Sequence, residues 1–155
     1  MKGLNENEIL DFIALTQHNT IEVRFIEFMP FSGNNWTSNQ VFTLQEILLK
    51  VASKYDVLPV QPEPNDTSKK YMIPGHVGSF AVISTMSSPF CETCNRMRLT
   101  ADGKLKNCLF SKEETDLLGA LRAGQETLHS IAKPLMDKAK DSRGRPRGAL
   151  DDRNK

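Results

Sequence analysis

The sequence has no apolar run near the roughly 18–20 residues that a membrane-spanning helix needs, so a membrane-embedded protein is not expected. Its first eight residues, Met-Lys-Gly-Leu-Asn-Glu-Asn-Glu, are acidic and hold no apolar signal-peptide core, which gives no indication of export. Charge of either sign is not in excess: 20 Lys and Arg stand against 19 Asp and Glu, for a net +1. That balance argues against a dedicated nucleic-acid binder. Internal repeats are absent. Cysteine is scarce, and three cysteines cannot all pair, so a disulfide framework is excluded and a reducing compartment fits. Cytoplasm is the expected location. Mitochondrial matrix is the alternative, less favoured because no transit peptide is visible.

What is present is enough for a single soluble domain with a core: 155 residues, 39% of them hydrophobic. Asn5 or Asn7 can cap a helix running to about Thr16, with Ile9, Leu10, Ile13 and Leu15 as its apolar stripe. Residues 21–29 are β-branched and aromatic and end at Pro30 and Gly33, which predicts a strand. Alternation puts Ile21, Val23, Phe25, Glu27 and Met29 on one face and Glu22, Arg24, Ile26 and Phe28 on the other. An ionised Arg24 or Glu27 in a buried strand needs either an ion-pair partner or a ligand. Thr43 and Glu46 form a capping box that opens a second helix to about Ser53. This helix–strand–helix order resembles an α/β unit. The polar, proline-rich residues 61–66 are the best internal boundary. Beyond them, residues 70–73 and 79–85 are expected to be antiparallel strands.

All three cysteines lie between Phe90 and Phe110, as Cys91, Cys94 and Cys108 in the pattern C-x2-C-x13-C. Residues 96–100 and 104–110 are expected to form a hairpin around Asp102-Gly103. With a two-residue turn there, Cys108 falls opposite Met97, whose side chain faces away from Arg96 and Arg98. A bulge or a longer loop would bring it to the arginine face. A helix from Ser111, with Glu113 and Glu114 in its first turn, and a last helix to about Lys140 are expected next. Residues 141–155 contain one large apolar residue and are read as a disordered tail. Three thiolates suit a 4Fe-4S cluster with one iron left open for a small molecule. Structural zinc would need a fourth ligand from His18, His76 or His129 and remains open on spacing. Arg96 and Arg98, alternating along one strand face, suit phosphates or carboxylates.

The run Cys91-Glu92-Thr93-Cys94-Asn95-Arg96-Met97-Arg98-Leu99-Thr100-Ala101-Asp102-Gly103-Lys104-Leu105-Lys106-Asn107-Cys108-Leu109-Phe110, with Val23-Arg24-Phe25-Ile26-Glu27-Phe28-Met29-Pro30 upstream, resembles the C-terminal half of the GTP 3′,8-cyclase family. These are the radical S-adenosylmethionine lyases that open molybdenum-cofactor biosynthesis. The likeness runs from Lys2 to about Gly124.

It implies an α/β fold: residues 1–54 as the last units of a partial TIM-like (βα) barrel, and residues 55–140 as an antiparallel α+β iron–sulfur and GTP-binding region. It implies that Cys91, Cys94 and Cys108 ligate a 4Fe-4S cluster whose open iron faces guanine. Arg96 and Arg98, with Met97 between them, match the GTP-contacting segment. Arg24 is a further GTP candidate, and the backbone of Met29 matches a contact to S-adenosylmethionine. In the family's reaction a 5′-deoxyadenosyl radical takes the ribose 3′-hydrogen and the sugar carbon attacks guanine C8. The protein's part is to position GTP and shield the radical.

The C-x3-C-x2-C motif of the family's first cluster, which cleaves S-adenosylmethionine, does not occur in this sequence, nor does a terminal glycine pair. A fragment, a truncated product or one half of a split enzyme is therefore expected, inactive alone. Its expected partners are GTP, a complementing N-terminal half that brings S-adenosylmethionine, and a second copy of itself. The rival reading is a non-catalytic cluster- or zinc-binding interaction module. The strand at residues 21–29, without the earlier barrel strands beside it, is an expected aggregation hazard.

Overall fold

The computed structural model describes residues 1–31, 33–90, 94–110, 113–124, 132 and 136. The chain forms two compact units, Met1–Phe90 and Cys91–Lys155. The expected last helix and tail fall outside the described residues, apart from positions 132 and 136.

In the first unit the chain enters through a 3-10 turn, Glu6–Glu8, and continues as helix α1, Ile9–Leu15. Neither Asn5 nor Asn7 caps α1: the 3-10 turn intervenes, and Glu8 stands at the cap without a side-chain bond. Of the expected stripe, Ile9 and Ile13 are buried, whereas Leu15 is exposed. Strand β1, Glu22–Ile26, shows the expected alternation: Val23 and Phe25 pack on the core while Glu22, Arg24 and Ile26 face solvent. Helix α2, Leu44–Ala52, begins at the Thr43–Glu46 capping box, with both reciprocal bonds present. A cap of this kind contributes about 1 kcal/mol, and it sets where the helix starts. Ile47 and Val51, one turn apart, are its buried contacts.

Strands β2 (Leu58–Pro59), β3 (Lys69–Met72) and β4 (Ser79–Ile83) follow. Between β3 and β4 a turn closes from His76 N–H to Ile73 C=O at 3.0 Å, with Pro74 second and Gly75 third at φ +85°. Proline second and a positive φ third are the type II signature. β3 and β4 are antiparallel, as expected, and β2 adds antiparallel to β3.

β1 joins the same sheet, parallel to β4, with Val23 level with Phe80 and Phe25 level with Val82. The order is β1-β4-β3-β2, a mixed four-stranded sheet, and no closed barrel is present among the described residues. Among the described residues β1 thus has one paired side and one open side, with Ile21 and Ile26 exposed. Phe80 lies at the centre of the core, stacked on Tyr71 with ring centroids 5.2 Å apart and edge-on to Phe25 at 6.4 Å. Burial of each such side chain contributes about 1.5–3 kcal/mol.

The second unit contains β5 (Arg98–Leu99), β6 (Lys104–Lys106), β7 (Thr115–Asp116) and helix α3 (Leu117–Arg122). The three strands form an antiparallel sheet in chain order. Two expectations are corrected here. Glu113 and Glu114 are not in a helix; α3 starts three residues later, where the Asp116 side chain accepts from Gly119 N–H at 2.8 Å. The hairpin loop has three residues, Ala101 to Gly103, closed by Thr100 N–H to Lys104 C=O at 2.9 Å, and not a two-residue Asp-Gly turn. No described helix is long and apolar enough to cross a membrane.

Candidate functional site

The three-residue loop changes which residues share a face. Its turn bond runs from Gly103 N–H to Thr100 C=O at 3.0 Å, and Gly103 takes φ +79°. A type I turn followed by a left-handed glycine is the favoured three-residue hairpin. The resulting register pairs Arg98 with Lys106 and Leu99 with Leu105. Cross-strand partners project to the same side, so Arg98 and Lys106 share one side of the hairpin; Arg96 and Cys108 lie two residues beyond this last pair, outside the two strands. Arg96 and Arg98 are exposed; Met97, facing the other way, is half-buried.

Cys94 and Cys108 are both half-buried, and neither is in a disulfide among the described residues. Cys91 lies outside the described residues, and among the described residues no three His, Cys, Asp or Glu side chains gather as a metal site. The donor type nonetheless fits an iron–sulfur group: two thiols, Cys94 and Cys108, on the two chain segments that flank the hairpin. His76, one of the possible zinc ligands, shares a 2.8 Å hydrogen bond between its Nδ1 and Thr16 Oγ1 and packs edge-on to Tyr55. Burial lowers its pKa, and His18 lowers it further.

The charged side chains around the hairpin are closely linked. Lys106 Nζ lies 2.8 Å from Glu114, and Lys104 Nζ lies 3.0 Å from Asp102 and 3.3 Å from Glu114. Hydrogen bonds from Lys106 first and Lys104 second hold the Glu114 carboxyl below its ordinary range. The same contacts, Asp102 foremost, raise the Lys104 ammonium. β7 and Glu114 were not expected here. A two-residue strand carries almost no periodic signal, and two adjacent glutamates read equally well as a helical first turn.

Arg24 and Met29 belong to the first unit. Arg24 sits on the outer face of β1, its side chain mostly exposed and paired with Glu22. The Met29 carbonyl accepts from Asn34 Nδ2 at 2.8 Å. Glu27, singled out by its charge in an apolar strand, resolves as neither an ion pair nor a solvent-facing group. Its carboxylate is 1% exposed and accepts from the N–H groups of Leu44 (2.7 Å), Met86 (2.7 Å) and Ser87 (2.8 Å), and from the Ser87 hydroxyl. It ties the end of β1 to the first turn of α2 and to residues 84–88. Alternation placed it on the same face as Val23 and Phe25, but its donors are 17 to 60 residues away and left no local signal.

The described chain is thus a mixed α/β sheet unit followed by a small antiparallel unit flanked by Cys94 and Cys108. The chain belongs to the Molybdenum Cofactor Synthesis C family, which matches residues 21–144. It is 45% identical over 148 residues to human "Molybdenum cofactor biosynthesis protein 1", covering 93% of this chain and 23% of that protein. It is 44% identical over 127 residues to "GTP 3′,8-cyclase, mitochondrial" of Arabidopsis thaliana (81% of this chain, 33% of that protein). To "GTP 3′,8-cyclase" of Peptoclostridium acidaminophilum it is 38% identical over 141 residues (90% and 43%). The chain therefore spans between 23% and 43% of the length of these curated relatives. A role in molybdenum-cofactor biosynthesis follows from the family.

Proposed function

We propose that this chain supplies the substrate-binding side of a GTP 3′,8-cyclase. The observation that supports this reading is the antiparallel pairing of Arg98–Leu99 with Leu105–Lys106, which turns the chain back alongside the arginine strand two residues before Cys108. Cys91, Cys94 and Cys108 would hold a 4Fe-4S cluster; with only three thiolates, such a cluster supplies one iron with an open position for the guanine. The guanidinium groups of Arg96 and Arg98 then bind and orient GTP through paired N–H donors, with Met97 in the same contact segment. Arg24 is a further GTP contact, and it must exchange its partner Glu22 for the nucleotide. The Met29 backbone is the contact for S-adenosylmethionine, on a segment braced by Asn34. The sheet unit is the barrel-derived part of the fold, and its open β1 side is where preceding strands would add.

The 155 residues contain no C-x3-C-x2-C motif, so the chain by itself does not cleave S-adenosylmethionine or turn over GTP. Mixing it, without oxygen, with a polypeptide that carries that motif and the rest of the barrel is expected to restore GTP cyclisation. No product from the two loaded halves together would reject the split-enzyme form of this proposal. Metal analysis separates it from a zinc module: three to four irons with acid-labile sulfide are expected, against about one zinc without it.

Replacing Arg96 and Arg98 together with alanine is expected to weaken GTP binding by roughly 30- to 100-fold, since charge-assisted hydrogen bonds are lost. Iron content should stay constant. Unchanged affinity in a calorimetric titration would remove the role assigned to these two residues.

A further inference from the structure

The sheet of the second unit carries a row of charged groups across its three strands. Arg98 on β5 faces Lys106 on β6. β6 and β7 pair Lys104 with Asp116 and Leu105 with Thr115, so the same register continued puts Glu114 level with Lys106. The ion pair between Lys106 Nζ and Glu114 Oε1, at 2.8 Å, is the contact this placement predicts. Like charges directly opposite on adjacent strands repel, and the Arg98–Lys106 pair is such a case. Glu114 relieves it only in part. It stands on the far side of Lys106 from Arg98, and its one negative charge is shared with Lys104. Arg98 itself has no ion pair among the described residues.

An anion seated between Arg98 and Lys106 would remove the repulsion. The side chains of a cross-strand pair start about 5 Å apart, so the oxygens of one phosphate can reach both the ammonium and the guanidinium. The bond that competes with this is weak enough to exchange. Lys106 and Glu114 are each roughly a quarter exposed, and solvent-accessible ion pairs are held loosely.

The geometry points to Lys106 as a third phosphate-contacting cation beside Arg96 and Arg98, whose ion pair with Glu114 competes with the phosphates of GTP for the ammonium. This rests on the reading of Arg96 and Arg98 as the GTP-binding pair. Glu114 is a positioning residue in this arrangement. It keeps the Lys106 side chain extended over the sheet and competes with the nucleotide for it.

The test is a calorimetric titration of the anaerobically reconstituted full chain with GTP and, separately, with guanosine. Lys106→Ala is expected to weaken GTP binding about tenfold, one charge-assisted contact's worth, and to leave guanosine affinity unchanged. Glu114→Gln is expected to tighten GTP binding about threefold, and that gain should vanish in the Lys106→Ala background. Lys106→Gln keeps the aliphatic stem and gives the same reading if the alanine variant does not fold. GTP affinity unaltered by either Lys106 substitution, or an equal Glu114→Gln effect with and without Lys106, overturns the inference. If the Arg96/Arg98 double variant binds GTP normally, the parent reading falls as well. If that variant is weakened while the Lys106 variants are not, only the role of Lys106 is lost.

Discussion

Replacing Glu27 with alanine is expected to destabilise the first unit by about 3–5 kcal/mol, the range for removing one member of a buried, fully hydrogen-bonded charged group. The carboxylate is all but fully buried and meets three backbone N–H groups and a hydroxyl, from α2 and from residues 84–88. Truncation would leave those donors facing an apolar void. The first N–H of α2 would also lose the negative charge that helix N-termini favour. Glu27→Gln should recover less than half of the loss, because its amide nitrogen presents a donor to donors. The protein's single tryptophan reports the event. Trp36 Nε1 donates to the Phe28 carbonyl at 2.8 Å, one residue beyond Glu27. Urea unfolding followed by tryptophan fluorescence should show a lower midpoint with little change in slope. A loss below about 1 kcal/mol, no more than an ordinary hydrogen bond, would show that the carboxylate is not the tie described here.

Substituting Gly103 with alanine is expected to cost the second unit about 2–4 kcal/mol and to displace the hairpin register. A left-handed backbone costs a non-glycine residue about 1–2 kcal/mol by itself. At Gly103 there is a further obstacle, because an added Cβ would lie 2.4 Å from the Cβ of Leu118. Leu118 cannot simply move away: its N–H donates to the Gly103 carbonyl at 2.9 Å, which fixes the start of α3 against the loop. Gly75 is the internal control. Its φ is +85°, yet an added Cβ meets nothing within 4 Å, so Gly75→Ala should show the backbone strain alone. Amide hydrogen exchange at Thr100, whose N–H closes the loop, measures the hairpin directly. Iron retained after reconstitution measures the consequence for Cys108. Equal effects from Gly75→Ala and Gly103→Ala would mean that Leu118 does not hold the loop.

Local signals were legible where both partners lie within one turn of each other. The α2 start is an example, since Thr43 and Glu46 are three residues apart and their reciprocal bonds need nothing else. The alternation of β1 was legible for the same reason: it separated Val23 and Phe25 from Arg24, and the structure makes the first face the inner one. The α1 cap was misplaced because two asparagines near a helix start are equivalent in composition, and the observed 3-10 turn uses neither side chain to cap α1. β7 was missed because Glu113 and Glu114 suit a helix start, while the strand placement of Thr115 and Asp116 after them depends on β6 being present beside them.

The hairpin shows the same boundary. Ala-Asp-Gly announces a reversal of the chain, but a two-residue and a three-residue loop both satisfy it. One residue of difference moves every partner to the opposite face.

From the sequence alone come the chemical types and their spacing: three thiols with no fourth cysteine, two arginines in alternation, and a carboxylate within an apolar strand. Those are properties of the chain read a few residues at a time. Which groups meet was decided in three dimensions. The Thr100–Lys104 closure and the contact of Gly103 with α3 go with the register that sets Lys106 opposite Arg98, and the parallel pairing of β1 with β4 brought Met86 and Ser87 to Glu27. Hydrogen bonds and excluded volume between distant segments made those choices. Neither leaves a trace in the spacing of neighbouring residues.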